Sequence, residues 1–156
     1  MSLDLFLVRH ADAEPARSGQ SDADRRLTDK GLKQAARLAA WAKDKGLEVP
    51  LIVSSPLIRA RQTAEPLARA LEAELITDAR LAGGFLTASA LGEILDEVGS
   101  PSALMLVGHE PDMSELVEEL TGGVVDFKKA TIALIRLETA RQGGGELAWL
   151  IPPKMR

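Results

Sequence analysis

Apolar and polar positions along the chain fall into two repeating patterns. Short continuous apolar runs, typical of strands buried on both faces of a parallel sheet, occur at 3–8, 51–53 and 104–107. Between them, apolar residues recur every three or four positions, which predicts amphipathic helices. These predicted helices follow the N-cap Thr28 as far as Gly46, cover 58–71, run from about 88 to 98, and cover 111–120.

The remaining segments complete the predicted secondary structure. An extended stretch near 75–77 and β-like runs at 131–137 and 146–151 add strands, and a triple-glycine turn separates the last two. Residues 11–26 are polar and predict a loop of a length that is often functional. Pro66 lies inside the second predicted helix, and because proline lacks a backbone donor, we expect it to kink or split that helix.

The alternation of strands and helices sets the expected architecture. It predicts an α/β fold built as a three-layer α/β/α sandwich, with a mainly parallel sheet and an antiparallel edge strand near the C-terminal end. A length of 156 residues suits one domain, so we expect residues 1–156 to form a single domain.

The composition excludes several classes of function. A net charge of -4, with 2 Trp, 3 Phe and no Tyr, argues against nucleic acid as a partner, because a broad basic face and stacking surfaces are both lacking. The absence of cysteine excludes thiol nucleophiles and zinc–thiolate sites. The first apolar run is too short for a signal peptide or a membrane span, so we expect no membrane partner and a cytoplasmic location.

The two histidines of the chain occupy equivalent positions. His10 and His109 each follow directly on an apolar run, where a buried strand would pass into a loop. Ligands bind at this edge of open α/β sheets, and a histidine is seldom placed there for packing because both ring nitrogens need partners. We therefore expect the two imidazoles to share one site.

Two arginines accompany the histidines. Arg9 adjoins His10, and Arg59 lies at the start of the predicted helix that follows Ser54-Ser55-Pro56. Because a guanidinium fits two phosphate oxygens at once, two arginines that converge with a helix N-terminus predict a phosphate-binding pocket. The like charge of these arginines would keep His10 unprotonated near pH 7 and therefore nucleophilic.

This set of groups predicts a phosphatase mechanism. His10 would attack phosphorus and form a phosphohistidine, which water would then hydrolyse. Arg9, Arg59 and a protonated His109 would stabilise the charge on the transferred phosphoryl group. The predicted mechanism needs no metal and no cofactor.

Three motifs resemble those of a known family. Arg9-His10-Ala11 is similar to the first signature of the histidine phosphatase superfamily, which includes the phosphoglycerate-mutase-like enzymes, while 54–64 and 107–110 are similar to its second and third motifs. The small size and the helix start at 27–31 most resemble the SixA-type phosphohistidine phosphatases. This resemblance implies a protein phosphohistidine as the substrate. It further implies His10 as the nucleophile, a phosphate pocket of Arg9, Arg59 and His109, and the backbone amide of Glu110 as a further donor.

The chain departs from the mutase-like pattern in two places. Such enzymes carry a serine and an asparagine shortly after the first motif, whereas this loop offers Ala13, Arg17 and Ser18, of which Arg17 is a candidate substrate ligand. Larger relatives place a glutamate, the acid that protonates the leaving oxygen, in an insertion after the third strand, and the 78–86 region shows no such motif. A leaving imidazole needs less help from an acid, so this departure favours a phosphoramidate, such as phosphohistidine, or an activated ester, and it argues against a mutase.

Several alternatives stay open on the sequence alone. The substrate is either a phosphohistidine protein or a small phosphorylated metabolite, and a non-catalytic phosphate-binding module is a further reading. A metal hydrolase using His10, His109 and Asp12 is disfavoured because the arginines would repel a divalent cation. The pair Lys128-Lys129 forms either a solvated turn or a contact for an acidic partner surface.

Overall fold

A six-stranded sheet organises the computed structural model, which describes residues 2–156. The strands are β1 (Leu3–Arg9), β2 (Leu51–Ser54), β3 (Glu74–Thr77), β4 (Ala103–Gly108), β5 (Ile132–Leu137) and β6 (Gly145–Ile151). The helices are α1 (Asp29–Asp44), α2 (Ile58–Leu71), α3 (Ala88–Val98) and α4 (Asp112–Thr121), with short 3-10 helices at Asp22–Asp24, Ala79–Leu81 and Pro153–Met155. Within the described residues, no helix is long and apolar enough to cross a bilayer.

The strands lie in the order β3-β2-β4-β1-β5-β6. The first four run parallel to one another, whereas β5 is antiparallel to β1 and β6 is antiparallel to β5. The prediction of a mainly parallel sheet with an antiparallel edge is therefore confirmed, and that edge consists of two strands. Because parallel strands end at the same edge of a sheet, the carboxyl ends of β1, β2 and β4 lie side by side.

Helices cover both faces of the sheet. Successive residues of β1 alternate between two apolar cores, because side chains along a strand point to opposite faces. Leu5 and Leu7 pack with residues of α3 and α4, whereas Phe6 and Val8 pack with residues of α1 and α2. This arrangement confirms the predicted three-layer α/β/α sandwich.

The start of α1 follows from local sequence signals. The Thr28 side chain accepts a hydrogen bond from the Gly31 amide at 3.0 Å, as predicted for the N-cap. Gly31 lies so close to the backbone carbonyl of Asp12 that a Cβ at position 31 would collide with it. The glycine thus lets the polar segment 11–26 pack onto the first turn of α1.

The expected break at Pro66 does not divide α2 into two helices. The helix continues from Ile58 to Leu71 with Pro66 inside it. Ala64 and Leu67, which flank the proline, are fully buried in the core between α2 and the sheet. The prediction of a split is wrong because the burial of this face outweighs the loss of one backbone hydrogen bond.

The segment 11–26 is more ordered than the predicted loop. Ala13 forms an isolated antiparallel bridge with Leu27. A 3-10 turn, Asp22–Asp24, follows the N-cap Ser21, whose side chain accepts a hydrogen bond from the Ala23 amide. The turn was not predicted, and it carries Asp22 to the carboxyl edge of the sheet, against Arg59.

Candidate active site

Backbone pairing at the carboxyl edge of the sheet brings the predicted site residues together. The His10 amide donates to the Gly108 carbonyl at 3.0 Å, and the Ser55 amide donates to the Val107 carbonyl at 2.8 Å. His109 follows Gly108 directly. As a result, the centroids of the His10 and His109 imidazole rings lie 5.2 Å apart, with the ring planes inclined at 54°.

His10 is held in one tautomer. Its Nδ1 lies 2.7 Å from the Ala11 carbonyl oxygen. A carbonyl oxygen can only accept a hydrogen bond, so Nδ1 carries the hydrogen and Nε2 keeps its lone pair. The side chain is 6% exposed, which limits the water that could compete for this contact.

His10 is also uncharged at neutral pH. Burial lowers the pKa of His10 to about 3, and the positive charges of Arg59 and Arg9 add smaller effects of the same sign. Like charge, the cause expected from the sequence, is thus the smaller effect, and removal of the imidazole from water is the larger one. The structure therefore contains an unprotonated, oriented imidazole with one free nitrogen.

Arg59 lies in the first turn of α2 and is 7% exposed. One of its terminal nitrogens donates to the Asp22 carbonyl at 2.8 Å, and the other lies 3.1 Å from Asp22 Oδ2. Hydrogen bonding to Arg25, with a further contribution from Arg59, lowers the pKa of Asp22, so this carboxylate is ionised near pH 7. A side-chain carboxylate thus occupies part of the guanidinium fork that the sequence analysis assigned to phosphate.

Arg9 ends β1 and is tied to the opposite side of the site. Its guanidinium donates to the Phe127 carbonyl at 3.0 Å. The Nε atoms of Arg9 and Arg59 are both buried without a hydrogen-bond partner among the described residues. Buried donors without partners are rare in proteins, and here two of them belong to arginines at the same strand edge.

Ser55 orients the second histidine. His109 is 5% exposed, and its Nε2 lies 2.7 Å from Ser55 Oγ. Ser55 Oγ also accepts a hydrogen bond from the Leu57 amide at 3.2 Å, which fixes the hydroxyl at the start of α2. His109 Nδ1 is buried without a partner in the described part of the chain.

His109 differs from the protonated residue expected from the sequence. Burial lowers the pKa of His109 to about 4, and the charge of Arg59 acts in the same direction. The imidazole is therefore neutral at pH 7 in this state. An anion bound nearby would supply the negative charge that favours the imidazolium.

Thr63 connects the backbone next to His10 to the helix that carries Arg59. The Ala11 amide donates to Thr63 Oγ1 at 3.0 Å, and the Thr63 hydroxyl donates to the Arg59 carbonyl at 2.9 Å. Thr63 is fully buried, so this chain of contacts is shielded from water. These contacts fix the backbone of Ala11, whose carbonyl accepts the hydrogen bond from His10, relative to the first turns of α2.

Two further residues named from the sequence have side-chain contacts of their own, and the role of the Glu110 backbone amide stays a prediction. Arg17 is paired with Glu14 at 3.3 Å, and its side chain is 73% exposed, so in this state it belongs to the surface of segment 11–26. Glu110 follows His109, and its carboxylate accepts a hydrogen bond from the Ser114 amide at 2.7 Å, at the first turn of α4. Across residues 2–156, no group of three or more His, Asp or Glu side chains is placed to hold a metal ion.

The sequence analysis missed Ser55, Thr63 and Asp22 as parts of the site. Ser55 and Thr63 lie within the second motif, and hydroxyl side chains at a strand end and one turn into a helix are a signal that could have been used. Asp22 had no such signal, because its contact with Arg59 depends on how segment 11–26 folds.

Comparison with known proteins defines the class of protein. A model of the histidine phosphatase superfamily, branch 1, matches residues 5–83. Phosphohistidine phosphatase SixA of Escherichia coli K12 is 30% identical over 155 residues, which cover 97% of this chain and 94% of that protein. The chain therefore belongs to the histidine phosphatase superfamily and is a phosphatase.

Within that superfamily the chain is similar to the small SixA-type members. A solved structure of the protein histidine phosphatase SixA complexed with tungstate superposes with a TM-score of 0.83 at 26% identity, covering 97% of this chain and 98% of that one. A protein of Picosynechococcus sp. without an assigned function is 35% identical over 164 residues, covering 97% of this chain and 98% of its own length. Both similarities extend over nearly the whole chain.

Proposed function

We propose that this chain is a metal-independent protein phosphohistidine phosphatase that acts through a phosphohistidine on His10, with residues 1–156 as one catalytic domain. The observation that carries the proposal is the state of His10, whose Nδ1 hydrogen is held by the Ala11 carbonyl and whose Nε2 is free. A neutral imidazole with a defined free nitrogen is what nucleophilic attack on phosphorus requires. The similarity to SixA, named as a phosphohistidine phosphatase, supports the substrate class.

In the first step, His10 takes the phosphoryl group from the substrate. Arg9, Arg59 and His109 bind the phosphoryl oxygens, and Arg59 exchanges its contact with Asp22 for the substrate. His10 Nε2 then forms a bond to phosphorus as the bond from phosphorus to the substrate nitrogen breaks. The electron pair of that bond stays on the substrate imidazole, which has taken up a proton from solvent beforehand.

In the second step, water releases the phosphoryl group. The water oxygen bonds to phosphorus, the bond to His10 Nε2 breaks, and inorganic phosphate leaves with the proton balance completed by solvent. The contact between Nδ1 and Ala11 favours His10 as a leaving group in the same tautomer in which it attacked. The imidazole is then ready for another cycle.

The local carboxylates support a phosphoramidate substrate rather than an alkyl ester. Asp112 is buried and accepts hydrogen bonds from the Gly84 amide at 3.0 Å with both oxygens, and Glu110 accepts from Ser114. Both carboxylates thus accept backbone hydrogen bonds, and among the described residues neither is a hydrogen-bond partner of an imidazole. An alkyl leaving oxygen needs a proton in the transition state, whereas an imidazole can be protonated before the bond breaks.

The charges at the site support metal independence. The guanidiniums of the buried Arg59 and the half-buried Arg9 repel a divalent cation and supply the positive charge that a metal would otherwise provide. We expect a chelator to leave the rate unchanged. Loss of activity on chelation, restored by a divalent cation, would contradict this part of the proposal.

The substrate assignment is tested with two peptides of the same sequence, one carrying phosphohistidine and the other phosphoserine. We expect kcat/KM to be higher for the phosphohistidine peptide by about a hundredfold or more. This factor is the rate enhancement that a general acid would give to hydrolysis of the ester and that this site lacks. His10→Asn, which keeps a polar group near the position of Nδ1 but removes Nε2, serves as the inactive control. Equal or faster hydrolysis of the phosphoserine peptide would show that the enzyme is an ester phosphatase.

A further inference from the structure

A second hollow lies beside the site and opens onto Arg9. It has a volume of about 900 Å³ and contrasts with the rest of this acidic chain, because seven Lys and Arg residues line it against a single carboxylate. The lining residues are Arg9, Asp12, Lys30, Lys33, Gln34, Arg37, Lys128, Lys129, Pro152, Pro153 and Lys154. We call this hollow the basic groove.

Besides Arg9, three separate parts of the chain supply the cations of the basic groove. Lys30, Lys33 and Arg37 lie three and four positions apart on α1, so they share one face of that helix. Lys128-Lys129 comes from the turn before β5, and Lys154 from the 3-10 helix at the end of the chain. Segments this distant in sequence gather positive charge at one place in the fold.

Most of this charge is not neutralised within the protein. Lys129 lies 3.1 Å from Asp12, and Lys128 lies 3.1 Å from Asp126. The other four groove cations outside the active site form no salt bridge among the described residues: Lys30, Lys33, Arg37 and Lys154. All four side chains belong to exposed residues, so they present an unopposed positive potential to solvent.

The groove is long as well as basic. It adjoins a further hollow of about 380 Å³, with which it shares Gln34, Arg37 and Pro153, and this hollow reaches Trp41. The distance along α1 from Lys30 to Trp41 is roughly 16 Å at the rise of an α-helix. An extended polypeptide covers that distance with about five residues.

We propose that the basic groove binds an acidic polypeptide segment of the substrate protein, next to the phosphohistidine that enters the catalytic site. The inference rests on the proposed function, since Arg9 joins the groove to the phosphoryl pocket. The exposed lysines are flexible point charges, which suit attraction of an acidic protein surface. A site for a small polyanion would instead bury its ligand among fixed, convergent donors.

The proposal is tested with three substrates: phosphoramidate, a phosphohistidine peptide with Glu and Asp on both sides, and the same peptide with Ser and Gly in their place. For the wild type we expect kcat/KM to be about tenfold or more higher for the acidic peptide than for the neutral one, and this preference to fall as salt is added. In the double variant Lys30→Glu, Lys33→Glu the preference should disappear. Turnover of phosphoramidate by this variant should stay within about twofold, because both residues are exposed and outside the phosphoryl pocket.

Lys43→Glu, Lys45→Glu provides the matched control, since it reverses two exposed charges at the other end of α1, outside the groove. This variant should keep the preference for the acidic peptide. Equal kcat/KM for the two peptides, or equal losses in both double variants, would overturn the groove proposal while phosphoramidate turnover still upheld the phosphatase mechanism. A contrary result would be that a small bisphosphate ester shows the same gain in kcat/KM as the acidic peptide and loses it in the Lys30→Glu, Lys33→Glu variant. That result would mean that the basic groove binds small polyanions, and the assignment to a polypeptide would be wrong.

Discussion

At the scale of single residues, the site depends on how each imidazole is oriented. His10 is fixed through Nδ1 by a backbone carbonyl, whereas His109 is fixed through Nε2 by the Ser55 hydroxyl. Among the described residues, the two rings therefore keep opposite nitrogens without protein partners: Nε2 of His10 and Nδ1 of His109. One nitrogen serves attack on phosphorus in our proposal, and the other serves contact with a phosphoryl oxygen.

Ser55→Ala tests the orientation of His109. We expect kcat to fall by about tenfold or more with a smaller change in KM, because the ring loses its support while the arginines still bind phosphate. A general structural defect would not change the tautomer of one histidine, so the ¹⁵N chemical shifts of both imidazoles should be measured. The shifts of His109 should change, and those of His10 should not.

Ser54→Ala is the matched control for this experiment. Ser54 is also fully buried, but its hydroxyl donates to the Ser55 carbonyl at 2.9 Å and contacts neither imidazole. We expect near wild-type kcat and unchanged histidine shifts. Equal effects of the two substitutions would mean that Ser55 acts through packing of the strand end rather than through His109.

At the scale of elements, segment 11–26 brings a carboxylate to one of the arginines that our proposal assigns to phosphoryl binding. Its 3-10 turn places Asp22 on Arg59, so the carboxylate competes with any phosphate for the same guanidinium. Asp22→Asn keeps the backbone contact but removes the charge. We expect the variant to bind inorganic phosphate more tightly, by up to about fivefold, the range measured for partly exposed ion pairs.

Asp24→Asn in the same 3-10 turn controls for the general loss of one negative charge. Asp24 is exposed and forms no salt bridge with Arg59 among the described residues. Isothermal titration with phosphate should show tighter binding for the Asp22 variant alone. Similar affinities in both variants would show that Asp22 does not compete at Arg59.

The elements themselves could largely be predicted from the sequence, for a physical reason. Strands buried on both faces, such as β1 and β4, need continuous apolar runs, and amphipathic helices need a 3.6-residue period, so the pattern identifies both. The split expected at Pro66 does not occur, because contacts with residues distant in sequence offset the local cost of the proline. A local pattern does not contain such contacts. The 3-10 turn at Asp22 likewise depends on a tertiary contact, which a local pattern does not contain.

At the scale of the whole molecule, burial of two histidines links the active site to stability. The pKa values of His10 and His109 are lowered to about 3 and about 4, whereas in the unfolded chain each would be near 6.5. Below about pH 6.5 the unfolded chain binds protons that the folded chain excludes, so the free energy of unfolding falls as the pH falls towards about 4.

Urea unfolding between about pH 7 and pH 5 tests this linkage. We expect a slope of up to about 1.4 kcal/mol per pH unit for each histidine, with stability lost on acidification. The variant His10→Gln, His109→Gln should lose most of this slope. The ionised carboxylates whose pKa values are lowered, among them Asp12, Asp22 and Asp78, contribute only at lower pH. An identical slope in the wild type and the variant would contradict the account.

The basic groove could not be predicted as a whole from the sequence. The composition gives a net charge of -4, and only Lys128-Lys129 suggested an acidic partner. The groove arises because the fold brings one face of α1 against that pair and against Lys154. The convergence of His10, Arg59 and His109 could be predicted because the carboxyl ends of parallel strands meet at one edge of a sheet. No comparable rule predicts where charged side chains gather on a surface.

The central claim is the covalent phosphohistidine on His10, and trapping that intermediate tests it most directly. The enzyme is mixed with radiolabelled phosphoramidate, quenched rapidly in alkali and digested into peptides. We predict label on the peptide containing His10, stable in alkali and lost in mild acid, and none in His10→Asn. Label on another residue, or full turnover with no labelled peptide under conditions that preserve phosphohistidine, would contradict the account.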